Sequence, residues 1–211
     1  MTALGEALVP LDGRPDDAFF DSLAEATAAA GVPVPEAAQV AALASVAAVS
    51  PFLKDLMLRD PAMLNEVLAA SLDESVRRAC SEAGDTDRAL RLGKRRVALA
   101  VALADLCADA SVEVVTAALS RFADHAVQTA LAAVLAEAHA AGQATSPDVG
   151  ASGIVVLAMG KLGGAELNYS SDIDLVVLFD PSRAGDVGLS PERITRLTQR
   201  MVALLQNRDA D

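Results

Sequence analysis

The stretch from Met159 to Asp180, MGKLGGAELNYSSDIDLVVLFD, decides which fold this sequence predicts. It follows a short apolar run, Ile154 to Leu157, and contains a second one, Ile173 to Phe179. Apolar runs of this length, rich in β-branched residues, predict two strands that are buried on both faces. Glycines and small polar residues fill the interval between the runs, which predicts a loop.

Two carboxylates, Asp172 and Asp174, lie at the start of the second apolar run. Side chains alternate between the two faces of a strand, so residues two apart project from the same face. Carboxylate oxygens held in this way suit Mg²⁺ or Mn²⁺, hard cations that also bind nucleotide phosphates. We therefore expect Asp172 and Asp174 to be the metal ligands and catalytic pair of a phosphoryl- or nucleotidyl-transfer site.

The loop before these carboxylates has the composition of a phosphate-binding turn. Gly160, Gly163 and Gly164 allow the backbone to approach a phosphate and to turn N–H groups toward it, and Lys161 adds a positive charge. Taken singly, an Asp-x-Asp pair, a Gly-Gly turn or a lysine is usually a solvated surface feature. Their combination favours a functional site, because an acidic pair buried at the mouth of an apolar strand needs a cation or donors to compensate it.

The sequence up to residue 145 predicts helices, after an irregular lead-in of 15 residues. Apolar residues recur at helical spacing, and capping residues, prolines and glycines mark the helix ends. Ser50 and Asp60 are the expected N-caps of two short helices, because each precedes a proline. The expected helices cover Asp16 to Ala30, Pro35 to Val49, Pro51 to Arg59, Pro61 to Ala70, Asp73 to Ala83, Thr86 to Asp109 and, after the cap Ser111, residues to about Ala141.

The composition of the sequence changes at Ser146. SPDVGASG, residues 146–153, predicts a linker, and Pro181 to Pro191 predicts a loop. Ser190 is the expected cap of a last amphipathic helix, Pro191 to Asn207. We therefore expect an α+β protein, with an all-helical region over residues 1–145 and the start of an α/β domain over residues 146–211.

Composition limits the classes of function that this chain could have. A formal net charge of −12 disfavours general binding of DNA or RNA, although a bound cation reverses the sign of the charge locally. The two isolated cysteines predict neither a disulfide framework nor a zinc site. No signal peptide and no run long enough to span a bilayer is present. A cytoplasmic protein with no nucleic-acid or membrane partner is expected.

The residues GKLGGAELNYSSDIDL resemble the nucleotidyltransferase superfamily, whose signature is Gly-Gly or Gly-Ser followed by Asp-x-Asp. More narrowly, they are similar to the bifunctional glutamine-synthetase adenylyltransferase and adenylyl-removing family. Two further stretches, SPFLKDLMLRDPAML (Ser50 to Leu64) and RRVALAVALADLCADASVEVVTAALSRFAD (Arg95 to Asp124), resemble the helical region of that family. The resemblance implies that residues 146–211 begin a polymerase-beta-like nucleotidyltransferase domain.

The resemblance also implies roles for individual residues. Asp172 and Asp174 match the metal-binding pair, which implies Mg²⁺ or Mn²⁺ as the metal, and Gly163 and Gly164 match the phosphate loop. The nucleotide would be ATP or ADP. The other residues expected at the nucleotide site are Lys161, Asn168, Ser170 and Ser171.

The position of the motif implies a reaction. The motif follows a helical region, and in this its position is similar to that of the N-terminal copy of the motif in the family. That copy removes AMP from a tyrosine of glutamine synthetase by phosphorolysis and releases ADP. Glutamine synthetase and a PII-type signal protein are the implied partners. The third carboxylate of the superfamily lies on a later strand. Asp180 is too far along the second strand to replace it, and Glu166, which is nearer in sequence, stays an open candidate. A truncated N-terminal piece of a longer protein, inactive alone, is therefore expected.

Two other functions stay open. The chain could belong to a nucleotidyltransferase that acts on a different acceptor, such as another protein, a tRNA or a small molecule, although its acidity argues against RNA. It could also be a non-catalytic, mainly helical module that docks on glutamine synthetase or on a signal protein.

Overall fold

The computed structural model describes residues 2–13, 15–108 and 110–206, and of Asp17 the backbone alone. The described chain is mostly helical, with one small antiparallel sheet, which agrees with the expected α+β class. It divides into two compact units, Met1–Ser81 with Gly93–Leu119 and Glu82–Leu92 with Ser120–Asp211. This division follows packing, and the expected domain boundary near residue 145 stays a prediction. No helix in the described part is long and apolar enough to cross a membrane.

The first unit is helical. Its own helices are α1 (Leu4–Ala7), α2 (Asp17–Ala30), α3 (Ala37–Val49), α4 (Pro51–Arg59), α5 (Pro61–Leu68) and α6 (Leu72–Ala79). Two long helices, α7 (Thr86–Cys107) and α8 (Val112–Ala140), contribute residues to both units. The second unit adds α9 (Val149–Ser152), β1 (Ile154–Met159), α10 (Gly160–Gly163), β2 (Asp174–Phe179), α11 (Pro181–Asp186) and α12 (Pro191–Gln206).

Several helix ends of the first unit lie at the expected capping residues, whereas α6 ends at Ala79 and not at the expected Ala83. The Ser50 hydroxyl accepts a hydrogen bond from the Leu53 N–H at 3.3 Å, and the Asp60 carboxylate accepts one from the Met63 N–H at 2.9 Å. Gly31, in the left-handed conformation at φ 66°, ends α2 as expected. The expected starts of α4 and α5 are therefore confirmed, because each cap satisfies a backbone donor that the first helical turn leaves unpaired.

Three segments that we expected to be irregular contain short helices. The first is α1, within the first 15 residues. The linker at 146–153 contains α9, capped by the Asp148 side chain, and the loop at 181–191 contains α11, capped by the Asp180 side chain. Asp180 precedes Pro181, the same cap-and-proline signal that predicts α5, and this signal was overlooked. The expected helix ends at Asp109 and Asn207 lie outside the described residues.

The two strands form an antiparallel pair in which Ile154 is opposite Phe179 and Met159 is opposite Asp174. Burial alternates along both strands, so the expectation that both faces are buried is wrong. A continuous apolar run does not distinguish a strand buried on both faces from a strand buried on one face, since either can be built from valine and leucine. The apolar residues of the exposed face are Val155, Leu157, Met159, Val176 and Leu178.

The inner face of the sheet packs into the hydrophobic core of the second unit. Val156, Leu175, Val177 and Phe179 contact a buried cluster to which α8 and α12 contribute. The apolar face expected for α12 is confirmed. Ile194, Met201 and Leu204 are buried in this cluster, and Leu197 and Leu205 pack against it.

The Ser50 cap yields a stability prediction. Replacing Ser50 with Ala leaves the Leu53 N–H without its side-chain acceptor, so the free energy of unfolding should fall by about 1 kcal/mol. Ser50→Asp keeps an acceptor and should stay within about 0.5 kcal/mol of the unsubstituted chain. Urea denaturation followed by circular dichroism measures both variants, and equal losses in the two would contradict the capping role.

The two faces of β2 yield a second prediction. Val177 faces the core, whereas the neighbouring Val176 is 41% exposed. Val177→Thr should lower the free energy of unfolding by about 1–2 kcal/mol, because it places a hydroxyl against the core. Val176→Thr has nearly the same shape change and should cost less than about 0.5 kcal/mol. Comparable losses for the two variants, measured by urea denaturation, would show that both faces are covered.

Candidate nucleotide-binding turn and carboxylate pair

The residues after β1 form one helical turn, α10, in place of the expected open loop. The turn is closed by two backbone hydrogen bonds, from the Ala165 N–H to the Leu162 carbonyl at 3.0 Å and from the Glu166 N–H to the Lys161 carbonyl at 2.7 Å. This closure requires a left-handed residue, and Ala165 adopts φ 56° although glycine is usual there. The Leu162 side chain is buried and holds the turn against the protein.

The glycines of this turn differ in what surrounds them. A Cβ on Gly163 would lie 2.6 Å from the Ala158 carbonyl oxygen, so the close approach of the turn to β1 requires glycine there. A Cβ on Gly164 would come no nearer than 3.8 Å to its neighbours. Gly160, at φ 55°, lies against the Asp174 carboxylate, since its Cβ would be 3.1 Å from Oδ2. Gly163 thus has a packing reason that does not depend on a phosphate, and the phosphate-binding role of Gly163 and Gly164 stays a prediction.

The polar loop that follows has one buried anchor and an exposed turn. Leu167 is buried, and its N–H donates to the Ser120 Oγ of α8 at 3.1 Å. Farther along, the Ser171 hydroxyl donates to the Asn168 Oδ1 at 2.6 Å, and the Ser171 N–H donates to the Asn168 carbonyl at 3.3 Å. These bonds close a tight turn with Ser170 exposed at its tip.

Asp172 and Asp174 are both exposed, and β2 begins at Asp174. Exposure alternates from residue 172 onward, but Asp172 precedes β2, so the expected shared face of the two carboxylates stays a prediction. The argument that they are buried and need a compensating cation is wrong, because water reaches both side chains. Their Cα atoms are about 7 Å apart at the rise of a strand. Among the described residues, no group of three or more His, Cys, Asp or Glu side chains could hold a metal.

The structure brings some of the expected site residues together and leaves others separate. Asn168 contacts Ser171, whereas Lys161 is exposed on α10. Gly160, which the sequence places in the expected phosphate-binding turn, lies against the Asp174 carboxylate. One residue near the site was missed. Ser120 has no sequence signal, because it lies 47 residues before Leu167 in the middle of a helix.

These features define a class: an α+β protein in which one strand ends in a tight glycine turn and the next begins with an exposed carboxylate pair. Comparison with known protein families then identifies the family. The family described as glutamate-ammonia ligase adenylyltransferase matches residues 40–211. Because the match covers most of the chain, the protein belongs to this family, and the expected resemblance is confirmed.

Similar proteins include several from bacteria. The bifunctional glutamine synthetase adenylyltransferase/adenylyl-removing enzyme of Rhizobium meliloti (strain 1021) is 40% identical over 80% of this chain and 19% of its own length. The proteins of the same name from Xanthobacter autotrophicus and Bartonella quintana are 41% and 31% identical, over 77% and 82% of this chain. The chain spans about a fifth of the length of these relatives.

The two neighbouring glycines provide a matched pair of substitutions. Gly163→Ala would force a Cβ against the Ala158 carbonyl, so the free energy of unfolding should fall by about 1–3 kcal/mol. Gly164→Ala meets no close contact and should change it by less than about 0.5 kcal/mol. Thermal unfolding of the two variants tests this difference; a Gly163→Ala variant as stable as the parent would contradict the close approach.

Proposed function

We propose that this chain is part of a bifunctional regulator of glutamine synthetase and that residues 160–174 form part of its nucleotidyltransferase site. The observation that supports the proposal is the exposure of both Asp172 and Asp174, with Asp174 against the backbone of the glycine turn. The names of the relatives supply the reaction class and the partner, glutamine synthetase. A polymerase-beta-like fold for this domain and a cytoplasmic location are part of the same proposal.

The chemistry of the donor set fits Mg²⁺, or Mn²⁺ in its place. Mg²⁺ is commonly held by one or two carboxylates, with water molecules and substrate phosphates completing its coordination. Asp172 and Asp174 would supply the carboxylates, and their exposure leaves room for those other ligands. A bound metal would neutralise phosphate charge and polarise the phosphoryl group.

The remaining residues would bind and orient the nucleotide. Lys161, exposed on α10, would place its ammonium near the phosphates of ATP or ADP. Ser170 and Ser171 would offer hydroxyl and backbone donors from the turn. Asn168 would act mainly through Ser171, because its Oδ1 already accepts a hydrogen bond from the Ser171 hydroxyl. Gly163 and Gly164 would bring backbone N–H groups close to a phosphate.

The reaction that we propose for this site is adenylyl removal. A phosphate oxygen would attack the phosphorus of the AMP group on a glutamine synthetase tyrosine, the bond to the tyrosine oxygen would break, and that oxygen would take up a proton. The products would be ADP and the free tyrosine. Attachment of AMP from ATP would belong to another part of the longer protein, and a PII-type signal protein would be a further partner.

A second candidate function is a non-catalytic docking module for glutamine synthetase. One observation favours it, which is that the described residues offer two carboxylates together and no larger ligand cluster. This part of the protein would then bind glutamine synthetase without a metal.

Replacement of the carboxylates tests the catalytic proposal. Asp172→Asn and Asp174→Asn, introduced into a protein of the relatives' full length, should each lower phosphate-dependent ADP release from adenylylated glutamine synthetase about a hundredfold or more. The matched control is Asp186→Asn, which removes an equal charge from an exposed position of the second unit and should keep the activity.

The outcomes of this experiment separate the candidates. ADP release that survives both substitutions would contradict the catalytic assignment. Release lost together with Mn²⁺ binding, the latter followed by electron paramagnetic resonance, would support it. Capture of glutamine synthetase by the 211-residue chain in the presence of a chelator, with no effect of either substitution on any activity, would favour docking.

A further inference from the structure

Ser120 is a buried polar residue within the long helix α8. Its side chain is 3% exposed, and its neighbours Ala118, Phe122 and Ala123 are buried apolar residues. A serine inside a helix usually faces solvent or bonds to its own helix. Here the Ser120 Oγ accepts the Leu167 N–H at 3.1 Å, and both atoms are buried.

The position of Leu167 makes this hydrogen bond important for the loop. The Ala165 and Glu166 N–H groups are used to close the turn at α10, so Leu167 is the first residue whose N–H leaves that turn. Residues 168–170 are exposed, and Asn168 and Ser171 form local hydrogen bonds with each other. The bond to Ser120 and the burial of the Leu167 side chain therefore fix where the loop begins.

We propose that Ser120 is a positioning residue for the nucleotide site, although it does not touch the nucleotide or the metal. By holding the Leu167 N–H, it sets the path of residues 168–174, and with it the Asn168–Ser171 turn and the carboxylates of Asp172 and Asp174. Without this bond the loop would sample several paths, and ligand binding would have to overcome the entropy of ordering it. This inference rests on the proposed function of the same site.

The chain offers a matched control for Ser120. Ser45, on α3 in the first unit, is also a buried helical serine. Its Oγ accepts a hydrogen bond at 2.9 Å from the N–H of Leu11, which lies 34 positions earlier in the chain. Ser45→Ala therefore removes the same kind of hydrogen bond from a part of the chain that contains none of the proposed site residues.

The experiment compares Ser120→Ala, Ser120→Thr and Ser45→Ala in the 211-residue chain. Amide hydrogen exchange is measured by nuclear magnetic resonance for residues 167–174, with the amides of α12 as a reference for global opening. Binding of Mn²⁺ with ADP is measured by electron paramagnetic resonance. In Ser120→Ala, exchange at Leu167 should rise about tenfold relative to α12, and the affinity for Mn²⁺–ADP should fall about tenfold. Ser120→Thr, which keeps the hydroxyl, should restore both, and Ser45→Ala should change neither.

Three results would overturn the inference, and they can be told apart from a failure of the proposed function. Unchanged amide exchange at Leu167 in Ser120→Ala would show that the hydrogen bond to Ser120 does not hold the loop. Faster exchange with unchanged Mn²⁺–ADP affinity would make Ser120 a structural residue only. Equal loss of affinity in Ser45→Ala would show a general effect of stability. If neither the unsubstituted chain nor a protein of the relatives' full length binds Mn²⁺–ADP, that would instead contradict the proposed site itself, whatever the exchange at Leu167.

Discussion

The pairing of β1 with β2 is the constraint on which the candidate site depends. Its register places one set of alternate residues on the core and the other set on an open face, and Asp174 belongs to the open set. A slip of one residue would turn every side chain of β2 to the opposite face, so the Asp174 carboxylate would point into the core. The register is held by the packing of Val177 and Phe179 against the buried cluster to which α8 and α12 contribute. Packing of the hydrophobic core therefore determines that Asp174 faces outward from the sheet.

The turn between the strands is held by contacts that differ in kind. Gly163 allows the backbone to approach the Ala158 carbonyl, and Leu162 and Leu167 bury their side chains on either side of the closed turn. Ser120 adds one polar contact from a distant part of the chain. Because these contacts all lie before residue 168, they anchor the start of the loop, while Asn168, Ser170, Asp172 and Asp174 stay exposed. Such an arrangement combines a fixed base with an exposed binding surface.

Local signals predicted the helices and strands better than they predicted the connections. Ser50 and Asp60 mark helix starts because a capping side chain and a following proline act within four residues. The same reasoning applied to Asp180 and Pro181 would have predicted α11, so that miss was one of interpretation. The closing of α10 was harder to predict, since it uses a left-handed alanine where a glycine would have been the usual signal.

The sequence by itself determined the order of the longer helices and the two strands, the Gly-Gly and Asp-x-Asp motif, and the family. Each of these depends on residues close together in the chain, through capping, side-chain periodicity or a contiguous motif. Only the tertiary structure decided that the sheet is covered on one face, that Gly163 is needed for packing, and that Ser120 holds the Leu167 N–H. Those facts depend on which distant residues meet. An apolar run looks the same whether one face or both are buried, and a serine in the middle of a helix carries no sign of the amide that it will accept.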